Sequence, residues 1–150
     1  MSKIIIVDFQ LGNLFSVKQA CEIVGLKAKI SSETDEILNA DALILPGVGA
    51  FNNAMENLKK LKLDTAIKHK VENGTPIFGI CLGLQLLFTE SEEFGSANGL
   101  DLISGVIKRF PEKFEERRIL VPHISWNTIH KSNLSWQTTA LTKIKENDFM

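Results

Sequence analysis

Through the first half of the chain, short apolar runs alternate with stretches of helical periodicity. Lys3 to Val7, Ala28 to Ile30, Ala42 to Leu45 and Ile77 to Ile80 are β-rich and only a few residues long, as strands buried on both faces are. Between the first two, Leu14, Val17, Cys21 and Val24 recur at three- and four-residue steps and predict a helix near Leu14 to Val24, with Gly25 suited to the position just past its end. Further helical segments run from Phe51 to Lys60 and from Leu63 to Glu72, closed by Asn73-Gly74 before Pro76. Strands alternating with helices in this way predict an α/β fold with a parallel sheet.

After Ile80 the pattern predicts another helix, with Leu82, Gln85, Leu86 and Phe88 placed for packing or for a site, up to the polar stretch from Thr89 to Gly99. The spacing then changes. Val106 to Phe110, Ile119 to Val121 and Ser125 to Ile129 read as short strands without long helices between them, which predicts antiparallel strands added to the sheet. The mixed charges from Glu112 to Arg118 read as a solvated loop.

Composition narrows the class. A chain of 150 residues fits one domain with one core, and its 44% hydrophobic and 23% charged residues suit a soluble protein. Seventeen basic against 18 acidic side chains leave a net charge of -1, which makes no electrostatic case for nucleic acid or an anionic membrane. No apolar run approaches the roughly 20 residues of a membrane-spanning helix. The start, Met1-Ser2-Lys3 and then a strand, has no secretory pattern, so a cytoplasmic protein is expected. Cys21 and Cys81 are too few for a disulfide framework and have no metal-ligand spacing, so no metal site is expected. Cys21 lies on the apolar helix face and reads as a small core side chain.

Cys81 differs. In Gly79-Ile80-Cys81-Leu82-Gly83 it stands where a buried strand turns into a helix. Such an elbow exposes the nucleophile, and free N–H groups at a helix start favour a thiolate and can hydrogen-bond a developing oxyanion, here through Leu82. Glycines at 79 and 83 permit the turn, and acyl transfer is the natural reaction class. A second glycine-rich turn, Pro46-Gly47-Val48-Gly49-Ala50-Phe51, also follows a strand. In a parallel sheet both turns lie on the ligand-binding edge, so a backbone N–H of Val48 or Gly49 could complete the oxyanion hole.

Gly79-Ile80-Cys81-Leu82-Gly83-Leu84-Gln85 resembles the nucleophile segment of class I, triad-type glutamine amidotransferases, and Pro46 to Phe51 resembles their oxyanion loop. Val7-Asp8-Phe9-Gln10-Leu11-Gly12-Asn13-Leu14 and Pro122-His123-Ile124-Ser125-Trp126-Asn127 are similar to the branch of that family formed by the glutaminase subunits of imidazole glycerol phosphate synthase, an enzyme of histidine biosynthesis. The resemblance spans Ile4 to Phe149 and implies a flavodoxin-like, mostly parallel sheet. It implies Cys81 as nucleophile, Leu82 and Val48 with Gly49 as the oxyanion-hole backbone, and Gly47, Gly83, Gln85 and Glu93 around the glutamine. Glu93 has a physical rationale there, because a carboxylate pairs with the substrate's α-ammonium.

By the same resemblance Asn13, His123 and Trp126 face a cyclase or synthase subunit that accepts ammonia in a heterodimer, and no cofactor is required. The family's general base lies in a His-x-Glu sequence after a strand that here would begin at Asp148-Phe149-Met150. Neither His69, His123 nor His130 begins such a sequence, so the 150 residues are expected to form the amidotransferase domain without that segment. Ser125 stands where the family usually has glycine, and Gln10-Leu11 replaces a more glycine-rich loop. Both departures are on the expected partner side. They leave open a paralogous subunit serving another acceptor, such as an enzyme of surface-sugar biosynthesis, while the missing His-x-Glu leaves open a truncated, non-catalytic partner-binding subunit.

Overall fold

The computed structural model describes residues 2–114, 117–119, 121, 125–131, 135–137, 139 and 141–148. Its first strand, β1 (Ile4–Val7), is followed by α1 (Leu14–Ile23), β2 (Ala28–Ser31), α2 (Thr34–Leu38), β3 (Ala42–Gly47), α3 (Phe51–Lys60), α4 (Leu63–Glu72), β4 (Ile77–Cys81) and α5 (Leu82–Gln85). The four strands form a parallel sheet in the order β2-β1-β3-β4. The chain goes to one side of β1 with β2 and to the other with β3, which puts a topological switch point between β1 and β3. Beyond the carboxyl ends of such strands, loops diverge and leave room for a ligand.

Alternation along the strands divides the core between the two faces of this sheet. Ile5, Val7, Leu43 and Leu45 pack with the helices α2, α3 and α4, whereas Ile6 and Ala28 pack with Cys21 of α1. Phe51, Ala54, Met55 and Leu58 occupy one stripe of α3, and Leu63, Ala66 and Ile67 one stripe of α4. Cys21 is a buried core thiol, as its position on the helix face predicted. The α/β architecture and its predicted first-half elements are therefore observed, with α2 as an addition. Five residues are too few for helical periodicity to show, and α2 buries Ile37 alone.

The predicted helix after Cys81 is cut short. It covers one turn, and the chain then enters β5 (Phe88–Ser91). The cause is competition for carbonyl groups. Leu86 O accepts from Leu100 N–H at 2.8 Å, Leu87 O from Leu102 and Ile103 N–H at 2.8 and 2.9 Å, and Phe88 O from Asp101 N–H at 3.1 Å. An incoming segment thus takes the acceptors that a longer helix would use internally, while Leu86 and Leu87 enter the core.

That segment builds a separate, mixed sheet rather than extending the first. β6 (Ala97–Asn98) pairs antiparallel with β5, and β7 (Ile103–Ile107) pairs parallel with it. β7 replaces the strand expected at Val106 to Phe110.

The chain divides into two compact units, Met1–Arg109 and Phe110–Met150. In the second, β8 (Lys113–Phe114) and β9 (Arg117–Arg118) pair antiparallel where a solvated loop was expected. Ile119 and Val121 are not in a strand. Ser125 to Ile129 shows only an isolated bridge at Thr128, beside which Ile129 exchanges hydrogen bonds with Asn147 and Asp148. The described side chains from Ser125 to Thr128 are exposed, so no burial rewards a longer ladder. Among the described residues, no helix is long and apolar enough to cross a membrane.

Candidate active site

Cys81 is the last residue of β4 and the N-cap of α5, with φ 53° and ψ -119°. A side chain other than hydrogen is strained in that conformation, and strain of this kind persists only where the surroundings impose it. Two glycines show how they do so. A Cβ on Gly83 would stand 1.7 Å from the Leu45 carbonyl oxygen, and one on Gly79 would stand 2.6 Å from Leu84 Cα. Glycine at both positions lets α5 sit directly against β3 and fold back over the end of β4. The consequence is an exposed thiol on a rigid base, since Leu82 beneath it is buried.

The two glycine-rich turns do meet. Gly47 is in register with Cys81 across β3 and β4. A Cβ on Gly47 would lie 3.1 Å from each of Gly83 N, Leu82 Cβ and Phe9 Cζ. Val48 and Gly49 follow immediately, both exposed, and Gly49 adopts φ +106°. The N–H of Val48 donates to Leu11 O at 3.4 Å. An oxyanion could use that donor only after this long hydrogen bond opens. α5 is a single turn, so what the elbow supplies is its local N–H groups rather than the summed dipole of a long helix.

Of the residues expected around glutamine, Gly47 and Gly83 are brought together at the elbow and Gln85 is half-buried at the end of α5. Glu93 is half-buried, and its Oε2 accepts from Phe51 N–H at 2.9 Å, at the first residue of α3. Ser91, wholly buried, accepts from Glu93 N–H through its Oγ at 3.1 Å. Asn57, further along α3, donates from Nδ2 to Phe9 O at 3.0 Å and ties that helix to the chain just past β1. Sequence reasoning did not find the parts played by Ser91, Phe51, Leu11 and Asn57. Only Ser91-x-Glu93 carried a signal, as a local turn in which a hydroxyl accepts from the N–H two residues on.

The expected partner-facing residues fall in different units. Asn13 in the first is exposed and caps α1, its Oδ1 accepting from Ser16 N–H at 3.4 Å. Trp126 in the second is 79% exposed. His123 lies outside the described residues. His69 is exposed in the last turn of α4, and His130 Nε2 lies 3.1 Å from Thr128 Oγ1.

An exposed thiol at a strained elbow, with loop amides in register beside it, can carry nucleophilic attack on an acyl carbon. Comparison with known proteins points the same way. Residues 7–136 match the family model described as CobB/CobQ-like glutamine amidotransferase domain. The chain is 50% identical over 133 residues to the imidazole glycerol phosphate synthase subunit HisH of Prochlorococcus marinus (strain NATL2A), covering 89% of this chain and 62% of that protein. It is 44% identical over 142 residues to the subunit of the same name from Bacillus subtilis (strain 168), covering 94% and 66%. It thus spans a little under two thirds of the length of these curated relatives. A crystal structure of a glutamine amidotransferase shares the fold, with a TM-score of 0.61 at 23% identity over 70% of this chain and 56% of that one.

Proposed function

The chain belongs to the family of CobB/CobQ-like glutamine amidotransferase domains, and on that premise we propose that it is the glutaminase part of an imidazole glycerol phosphate synthase. The observation that carries the reading is Cys81 at positive φ, in register with Gly47 at the mouth of the loop that follows β3. The names and identities of the relatives support the choice of synthase.

In this reading the Cys81 thiolate attacks the side-chain amide carbon of glutamine. The carbonyl electrons move to oxygen, where Leu82 N–H, and Val48 N–H once released from Leu11, hydrogen-bond the oxyanion. The oxyanion collapses and the C–N bond breaks as the protonated form of the general base, having taken the Cys81 thiol proton, gives it to the departing ammonia; water then hydrolyses the γ-glutamyl thioester to glutamate and frees the thiol. Glutamine's α-ammonium is held by the Glu93 carboxylate, with Gln85, Gly47 and Gly83 lining the remainder. The proton-transferring His-x-Glu of the family does not occur in these 150 residues. Ammonia passes to a synthase subunit, which Asn13 and Trp126, both exposed, are each suited to contact, as is His123 by its place in the family's sequence motif.

The test is covalent labelling. A chloroketone analogue of glutamine should modify Cys81 and leave Cys21 untouched, and free glutamine should protect. Labelling that ignores glutamine, or that misses Cys81, would refute the reading.

A further inference from the structure

We propose that Glu93 is a positioning residue for the loop between β3 and α3, holding it opposite Cys81 through the N–H of Phe51. The assignment rests on the glutaminase reading for what that loop does, but the tether itself does not depend on it.

Helix α3 begins without a cap of its own. Its N-cap is Ala50, which has no side-chain acceptor, and its first turn contains no acidic residue. Serine, threonine, aspartate or asparagine is the usual solution at that position. Here the acceptor comes from 42 residues away, as Glu93 Oε2 receives Phe51 N–H at 2.9 Å. A carboxylate on a backbone N–H at a helix start makes a charge-assisted bond, stronger than a neutral cap. Glu93 is in turn fixed from below, because its own N–H donates to the Oγ of fully buried Ser91.

The loop therefore has an anchor at each end. Gly47 is pinned by its pairing with Cys81, and Phe51 by Glu93. Only Val48, Gly49 and Ala50 lie between, and Val48 is 54% exposed with its N–H on a long bond to Leu11 O. A span of three residues has few conformations once both ends are set. Releasing the Phe51 end widens that set and misplaces the amides next to the nucleophile. One carboxylate oxygen is used by Phe51, and a carboxylate has capacity for more than one donor, so the α-ammonium of glutamine can bind the same group. Substrate recognition and loop placement then share one side chain.

The two roles separate by substitution in the full chain, read by chloroketone labelling of Cys81 and by amide hydrogen exchange at residues 49 to 52. Glu93→Gln keeps an oxygen acceptor for Phe51 but loses the charge. It should raise the half-saturating analogue concentration roughly tenfold while retaining the limiting labelling rate and slow exchange at Phe51. Glu93→Ala loses both roles. Its limiting rate should also fall roughly tenfold, with faster exchange at Phe51. The proposal is overturned if Glu93→Ala keeps the wild-type limiting rate and Phe51 exchange, or if Glu93→Gln loses as much limiting rate as Glu93→Ala. Should the wild-type chain not be labelled at all, the glutaminase reading falls, and exchange at Phe51 alone decides the tether.

Discussion

A methyl group added at Gly83 would be built 1.7 Å from the Leu45 carbonyl oxygen and 2.6 Å from its carbon, where ordinary contact begins at 3.4 Å. Both atoms are backbone of β3, which is paired with β1 on one side and β4 on the other and cannot retreat. Helix α5 must instead move away by roughly 1.7 Å. Leu82 and Leu86, buried at 2% and 0% exposure, would move with it. Overpacking of a tight site costs about 1 to 3 kcal/mol, and Gly83→Ala should fall at the upper end because the obstructing atoms are main chain. The same displacement moves the elbow, and a shift of about 1 Å in a reacting group costs on the order of a hundredfold in rate.

Urea denaturation gives the stability, and chloroketone labelling of Cys81 gives the reactivity. Gly25→Ala is the control. A Cβ there meets nothing within 4 Å, so only the unfavourable φ of +78° is charged, at about 1 to 2 kcal/mol. Its labelling rate should match wild type. If Gly83→Ala lies within about 0.5 kcal/mol of wild type and labels Cys81 equally fast, the close approach of α5 to β3 is not what shapes the elbow.

Two other outcomes follow from single positions. Cys81→Gly should be more stable than Cys81→Ala by about 1 to 3 kcal/mol, since glycine adopts φ 53°, ψ -119° without strain, and equal denaturation midpoints would deny that strain. The Lys29 ammonium, 2.5 Å from Glu36 Oε1, holds the Glu36 carboxyl below its ordinary value. A lowered folded-state value contributes stability above the unfolded value of about 4.3 and loses it as pH falls through the folded one. Lys29→Gln should therefore raise the Glu36 titration midpoint in NMR, and its stability deficit should disappear at acid pH and shrink in high salt. A deficit that persists below the Glu36 midpoint would show that lost packing, not the ion pair, is responsible.

Much of the first half was legible because its signals are local. The strands from Ile4, Ala28, Ala42 and Ile77, and the helices from Leu14, Phe51 and Leu63, start where hydrophobic periodicity and turn residues place them. Gly-x-Cys-x-Gly likewise marked the elbow, because a strained turn against a neighbouring strand leaves glycine as the residue that fits at 79 and 83. Periodicity failed after Gln85. Leu86, Leu87 and Phe88 suit a helix or a buried strand equally, and the pattern of their side chains says nothing about who takes their carbonyl groups.

The sequence by itself thus determined the parallel α/β framework and the place of the nucleophile, since both depend on residues adjacent in the chain or on whether a Cβ can be accommodated. Tertiary structure decided that α5 ends after one turn, that residues 88 to 107 form their own sheet, that Leu11 holds the Val48 N–H and that Glu93 caps α3. Each of those outcomes is a hydrogen bond between groups distant in sequence. A backbone donor or acceptor is the same in every residue, so only the fold determines which partner reaches it.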